Sequence, residues 1–280
     1  MSTVFTPATT IPAPTEPSLK VTQLGVIHSE FTKFRSLRST VWTLLVAVIL
    51  MIGIAALFSA VTASQQHALG PPGQGEGGIH PVSTSLNGII FAVIAFGVLG
   101  VLMMSSEYST GMIRSSLTVV PRRLPVLWDK LAVLVASIFP VSLIASFISF
   151  FLGQALLSSH HLGVSITAPG ALRSVTGAAL YVTVAGVIGL ALGALLRNSA
   201  AGITTFAAVF FVIPPLTGLL PSSVSGHLAQ YLPSGAGEAL WGGTTGVANA
   251  LSPWTGFAVL CGYAAVLIAI AAWRLRRADA

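Results

Sequence analysis

Apolar residues in this chain run in unbroken blocks rather than alternating with polar ones. Six blocks stand out, at 41–63, 86–104, 131–157, 174–196, 201–220 and 254–273, and none holds Asp, Glu, Lys, Arg or His. About 20 apolar residues are enough to cross a hydrocarbon core. Backbone groups find no water there, so each block must be helical. The pattern predicts an all-α integral membrane protein with six transmembrane helices.

The rest of the chain reads differently. Residues 1–20 are rich in Pro, Thr and Ser without a periodic apolar face, the signature of a disordered tail. From 19 to 40, Leu24, Ile27, Phe31, Phe34 and Val41 recur at helical spacing, while Glu30, Lys33 and Ser36 fall away from that face. That spacing predicts an amphipathic helix lying on the inner membrane surface ahead of span 1. Residues 64–85 form a Gly/Pro/Gln-rich loop, and 221–253 is a longer, moderately apolar segment between spans 5 and 6. Span 1 is not expected to be a cleaved signal peptide: about 40 residues precede it and it is twice the usual length.

Composition sharpens this picture. The 280 residues are 54% hydrophobic and only 7% charged, with mean hydropathy +0.88, too few charges to wet a soluble surface. The net charge of +6 is therefore a topology signal rather than a sign of nucleic-acid binding. Twelve of the thirteen basic residues fall before span 1, between spans 2 and 3, between 4 and 5, or after 6; only Arg173 lies on the other side. Lys and Arg collect on cytoplasmic loops, so a multi-pass protein of the cytoplasmic membrane with both termini inside is expected.

Candidate chemistry inside the spans is sparse. Ion-coupled transport usually places ionisable side chains at membrane depth, and the six blocks have none. An intramembrane hydrolase needs a base beside its nucleophile, yet no His lies in a span. Cys261 is a lone small hydrophobe, and His160–His161 form a loop pair without companion ligands for a metal. No GxxxxGK[ST] phosphate loop occurs. Gly186, Gly189 and Gly193 permit close helix contact in span 4, chiefly within the chain. Pro140, and Pro214–Pro215, are expected to kink spans 3 and 5.

Charge is concentrated at 105–130, SSEYSTGMIRSSLTVVPRRLPVLWDK, which holds six of the chain's charged residues. Ser109 or Thr110 suits a helix cap, Pro121 a stop, and Pro125 the first turn of the helix that enters span 3. Met112, Ile113 and Leu117 would then form an exposed apolar patch beside Arg114. On physics alone that patch is equally a docking knob or a membrane-surface anchor.

Three stretches resemble one family. SEYSTGMIRSSLTVVPRR is similar to the first cytoplasmic loop of membrane subunits of type-2 ABC transporters, especially actinobacterial ones. SEFTKFRSLRSTVWTLL and LGALLRNSAAGI resemble the same family, in order and at suitable spacing. The resemblance implies a permease domain over 21–280 that is not itself an enzyme and binds no cofactor. ATP and Mg would sit in a separate cytosolic ABC ATPase, present in two copies. A second membrane subunit, the same chain or a homologue, would pair through spans 1 and 5 within the lipid bilayer.

Carried onto this sequence, the resemblance places Glu107, Tyr108, Gly111, Met112, Ile113, Arg114 and Leu117 on a coupling helix between spans 2 and 3 and at its start. It places Glu30, Phe31, Lys33, Phe34, Arg35 and Arg38 on a connecting helix bordering the ATPase, and re-entrant helices between spans 5 and 6. The implied function is ATP-driven export of an amphiphilic small molecule or lipid. The rival is a scaffold or sensor that recruits an ATPase and moves nothing.

Overall fold

The structure is a computed structural model that describes residues 32, 38–65, 80–109, 123–242 and 250–277. The expected tail, the interfacial helix apart from Thr32 and Arg38, and the coupling-helix residues Gly111, Met112, Ile113, Arg114 and Leu117 lie outside the described residues. Among those described, only helices form. They are α1 (Arg38–Ser64), the single turn α2 (Pro81–Thr84), α3 (Ile89–Ser109), α4 (Arg123–Ser158), α5 (Ala171–Leu196), α6 (Ser199–Ala207), α7 (Ile213–Thr217), α8 (Ser222–Ala229), α9 (Pro233–Trp241) and α10 (Pro253–Arg277). A π-helical turn, Ala208–Val212, joins α6 to α7.

Six helical stretches are long and apolar enough to cross a membrane: Ser39–Ser64, Ile89–Tyr108, Leu124–Ser158, Ala171–Leu196, Ser199–Thr217 and Pro253–Arg277. They are numbered here as spans 1–6, and the end bearing Glu107, Lys130, Arg197 and Arg274 is called inner. Large apolar side chains cover the outside of the bundle, among them Ile49, Leu57, Ile144, Phe151, Leu216 and Val266. That is the surface lipid requires. Trp42, Trp128, Trp254 and Trp273 are exposed at span ends, where an amphipathic ring sits at the headgroup level.

α5 is the hub. Helices α3, α4, α6, α9 and α10 all pack on it, and nearly every residue from Ser174 to Ala194 is buried. Its sequence explains why it can be surrounded: Ala and Gly dominate, so neighbouring backbones approach closely. A methyl on Gly189 would run into the Gly97 carbonyl oxygen of α3, one on Gly193 into the Val101 carbonyl, and one on Gly100 into the Gly186 carbonyl. The span-4 glycine ridge is thus an intramolecular seam with span 2. α4 runs through Pro140 as one helix. In span 5 the prolines follow the π-helical turn, and both accommodate the same local break in the hydrogen-bond ladder.

At the outer end, Gln154 organises the loops. Its side-chain nitrogen donates to the Pro81 carbonyl oxygen at 2.9 Å and to Ser85 Oγ at 3.2 Å. Its oxygen accepts from Val164 N at 2.7 Å. Between spans 5 and 6, α8 and α9 form a hairpin that folds back into the bundle. Tyr263 donates its hydroxyl to the Tyr231 carbonyl at the hairpin's tip, 3.1 Å away, and Gly237 of α9 abuts the Tyr181 ring. Tyr181 and Tyr263 each lie ten residues from the outer ends of their helices, about 15 Å at helical rise. α9 also packs on the π-helical turn in mid-span 5. The hairpin is therefore re-entrant: it enters the outer part of the bundle without crossing.

The glycine seam yields a direct prediction. Gly189→Leu overpacks the α3–α5 contact and should lower stability by about 1–3 kcal/mol or more. Gly53, which has open space where a side chain would go, should tolerate Ala with no loss. Thermal unfolding midpoints in detergent compare the two; equal shifts would refute the seam.

Candidate functional site at the inner end of span 2

The last turn of α3 directly precedes the charged loop, and it is pinned on three sides. Ser105 and Ser199 share a hydroxyl hydrogen bond at 2.8 Å, tying α3 to α6. Lys130 Nζ of α4 donates to Glu107 Oε1 at 2.7 Å. The Arg197 guanidinium lies 5.1 Å from the centre of the Tyr108 ring, a cation–π contact to the turn between α5 and α6. Arg274 of α10 donates to the Leu195 carbonyl just before that turn. The inner ends of spans 2 to 6 are thereby linked through polar groups.

Each part is placed by its local sequence. Pro125 sits in the first turn of α4, where its missing N–H has no intrahelical partner to lose. The helix then carries Asp129 and Lys130 inward. Arg197 adopts a left-handed backbone, φ 53°, and its N–H bonds the Gly193 carbonyl at 3.0 Å, closing α5. Asn198 then caps α6, its Oδ1 accepting from Ala201 N at 3.0 Å. A left-handed non-glycine residue is strained by about 1–3 kcal/mol. Here the strain aims the Arg197 side chain at Tyr108.

The Glu107–Lys130 pair is buried, with side-chain exposures of 8% and 3%. Separating two such charges from water costs several kcal/mol each, which their attraction offsets only while both are present. Glu107 Oε2, Tyr108 Oη and Arg197 Nε find no hydrogen-bond partner among the described residues. The cluster thus keeps unused polar capacity beside the loop. Among the described residues no group of three or more His, Cys, Asp and Glu is placed for a metal. His160 and His161 are exposed at the outer turn.

Of the residues expected on the coupling helix, the structure places Glu107 and Tyr108 in the last turn of span 2 itself, packed against other helices. Of the expected connecting helix, Arg38 begins α1 and the other five lie outside the described residues. Sequence reasoning did not select Ser105, Lys130, Arg197, Ser199 or Arg274. The available signal was that charged residues flanking apolar blocks at the same end must share one layer.

Removing one partner of the ion pair should be far worse than removing both. Glu107→Gln or Lys130→Met alone should cost about 3–5 kcal/mol, whereas the double change should recover most of that loss. Denaturation of the four proteins in one detergent measures the coupling; additive losses would mean the pair is not a unit.

The comparison with known families fits this architecture. The model described as ABC-2 family transporter protein matches residues 26–215, from before span 1 through the prolines of span 5, including every member of the inner cluster except Arg274. No curated protein matches the chain. With six apolar helices and a family match across most of its length, the chain belongs to the ABC-2 transporter family, as a multi-pass membrane permease subunit that is not itself catalytic.

Proposed function

We propose that this chain is the membrane half of an ATP-driven exporter, powered by a separate cytosolic ABC ATPase acting on the loop 110–122. The observation that carries this reading is the Glu107–Lys130 pair, which joins the two helices on either side of that loop. A loop whose flanks are held together cannot absorb a push by bending at its base. Force on it moves the ends of α3 and α4 as one, and through Ser105 and Tyr108 the ends of α5 and α6.

In this reading Glu107 and Tyr108 anchor the coupling segment, while Gly111, Met112, Ile113, Arg114 and Leu117 supply the surface that meets the ATPase. Glu30, Phe31, Lys33, Phe34, Arg35 and Arg38 border it. Two ATPase copies bind ATP and Mg beneath a pair of membrane subunits, identical or homologous, in the cytoplasmic membrane with all termini inside. ATP binding closes the ATPase pair and hydrolysis reopens it. The spans convert that cycle into exposure of an amphiphilic cargo on alternate sides.

Co-expression with candidate ATPase subunits tests this. The intact chain should co-purify an ATPase and change its rate of hydrolysis, and Ile113→Asp should abolish capture while leaving the thermal midpoint unchanged. Capture unaffected by Ile113→Asp would make the loop a lipid anchor. Capture with hydrolysis insensitive to any cargo would make the protein a scaffold.

A further inference from the structure

The six apolar blocks hold no charge, yet the re-entrant hairpin carries one in among the helices. Glu238 lies on α9 between Gly237, which abuts the Tyr181 ring, and Leu240, which abuts Gly177. Gly177 and Tyr181 are six and ten residues below the outer end of α5, and Gly256, which abuts Ala236 and Ala239, is three below that of α10, so Glu238 sits about 5–15 Å from the outer helix ends. The other charged residues among those described lie at or near helix ends.

Among the described residues none bonds or pairs with Glu238. Burial without a neighbouring cation pushes its carboxyl up to about 7. Holding a bare carboxylate in a buried site costs several kcal/mol, which calls for a partner. The side chain is only partly buried: Gly235 and Glu238 of α9, with the flanking Leu232 and Gly242, are the less buried positions there, and their spacing of three or four puts them on one face.

Two further observations converge on the same layer. The π-helical turn of span 5 packs on α9, and such turns are frequent at functional sites. Trp241, one turn beyond Glu238, is fully buried, and its indole N–H meets no acceptor among the described residues. It is also the only tryptophan of the five removed from the exposed belt at the span ends. A carboxylate, a Tyr ring and an unspent indole donor therefore gather beside an irregular stretch of span 5.

We propose that this is a cargo site, with Glu238 the counter-charge for an amphiphilic organic cation. A protonated or quaternary amine would supply the missing positive charge, and its apolar body would lie against the aromatic rings and the less buried face of α9. The word cargo rests on the transport reading; the binding does not, and it is measured on this chain without an ATPase.

The probes are tetraphenylphosphonium and tetraphenylborate, ions of the same shape and opposite charge. Equilibrium dialysis against the full chain in phosphatidylcholine nanodiscs, corrected with empty discs, should show saturable binding of the cation and none of the anion. Glu238→Gln should weaken cation binding at least about tenfold, the scale of one desolvated charge pair, while Glu238→Asp should keep most of it. Equal binding of both ions to the intact chain, or unaltered cation affinity in a folded Glu238→Gln protein, would overturn the proposal. The first comparison needs no variant, so a misfolded mutant leaves the test intact. Failure here with ATPase capture preserved would leave the permease assignment standing and remove only the cation site.

Discussion

A carboxylate and an ammonium excluded from water must hold each other, and in this protein that requirement fixes the inner end. Glu107 lies in the last turn of span 2 and Lys130 in the second turn of span 3, with the charged loop strung between the two helices. Because each charge is costly to bury without a partner, their contact binds the two helix ends to one position relative to each other. The remaining contacts of the layer build outward from them. Ser105 reaches Ser199, Tyr108 receives Arg197, and Arg274 reaches the end of α5. A loop strung between fixed ends suits a mechanical input, since its base does not yield.

The layers above are organised by the opposite means. Around α5 there is little polar chemistry, only close approach. Lipid provides no hydrophobic drive to bring helices together, so packing depends on small residues that let backbones touch. Gly97, Gly100, Gly186, Gly189 and Gly193 perform that role between spans 2 and 4. A rigid glycine-packed centre joined to a polar inner layer is suited to move as a body. The irregular parts, the π-helical turn of span 5 and the re-entrant hairpin beside it, lie on the periphery of α5. There a change of shape does not require the central seam to open.

Much of this was legible in the sequence, and the limits have physical causes. Block length and the absence of charge gave six spans, because lipid permits nothing but a helix of that length. Span ends were less visible. Charged residues read as loop, so span 2 was expected to stop at 104. In fact α3 continues through Glu107, since a paired charge no longer needs water, whereas Pro125 had marked the early start of the helix that becomes α4. The glycine ridge was recognisable, and so was its use within the chain. Glu238 was not, because a short segment interrupted by Pro and Gly carries no sign of its depth in the bundle. That depth is set by Tyr181 and Tyr263, distant in sequence. It also lies beyond residue 215, where the family match ends.

The central claim, that the Glu107–Lys130 pair holds the inner end of span 2 against its neighbours, is tested most directly by cross-linking. Cysteines at Ser105 and Ser199, whose hydroxyls are 2.8 Å apart, are introduced with Cys261→Ala so that no other thiol competes. The rate of disulfide formation in membranes is then measured with the ion pair intact and with Glu107→Gln. The account predicts rapid cross-linking in the first and a severalfold slower rate in the second, as the end of span 2 is released. The same rate in both would show that the inner layer is held without the ion pair, and the proposed route from loop to spans would fail.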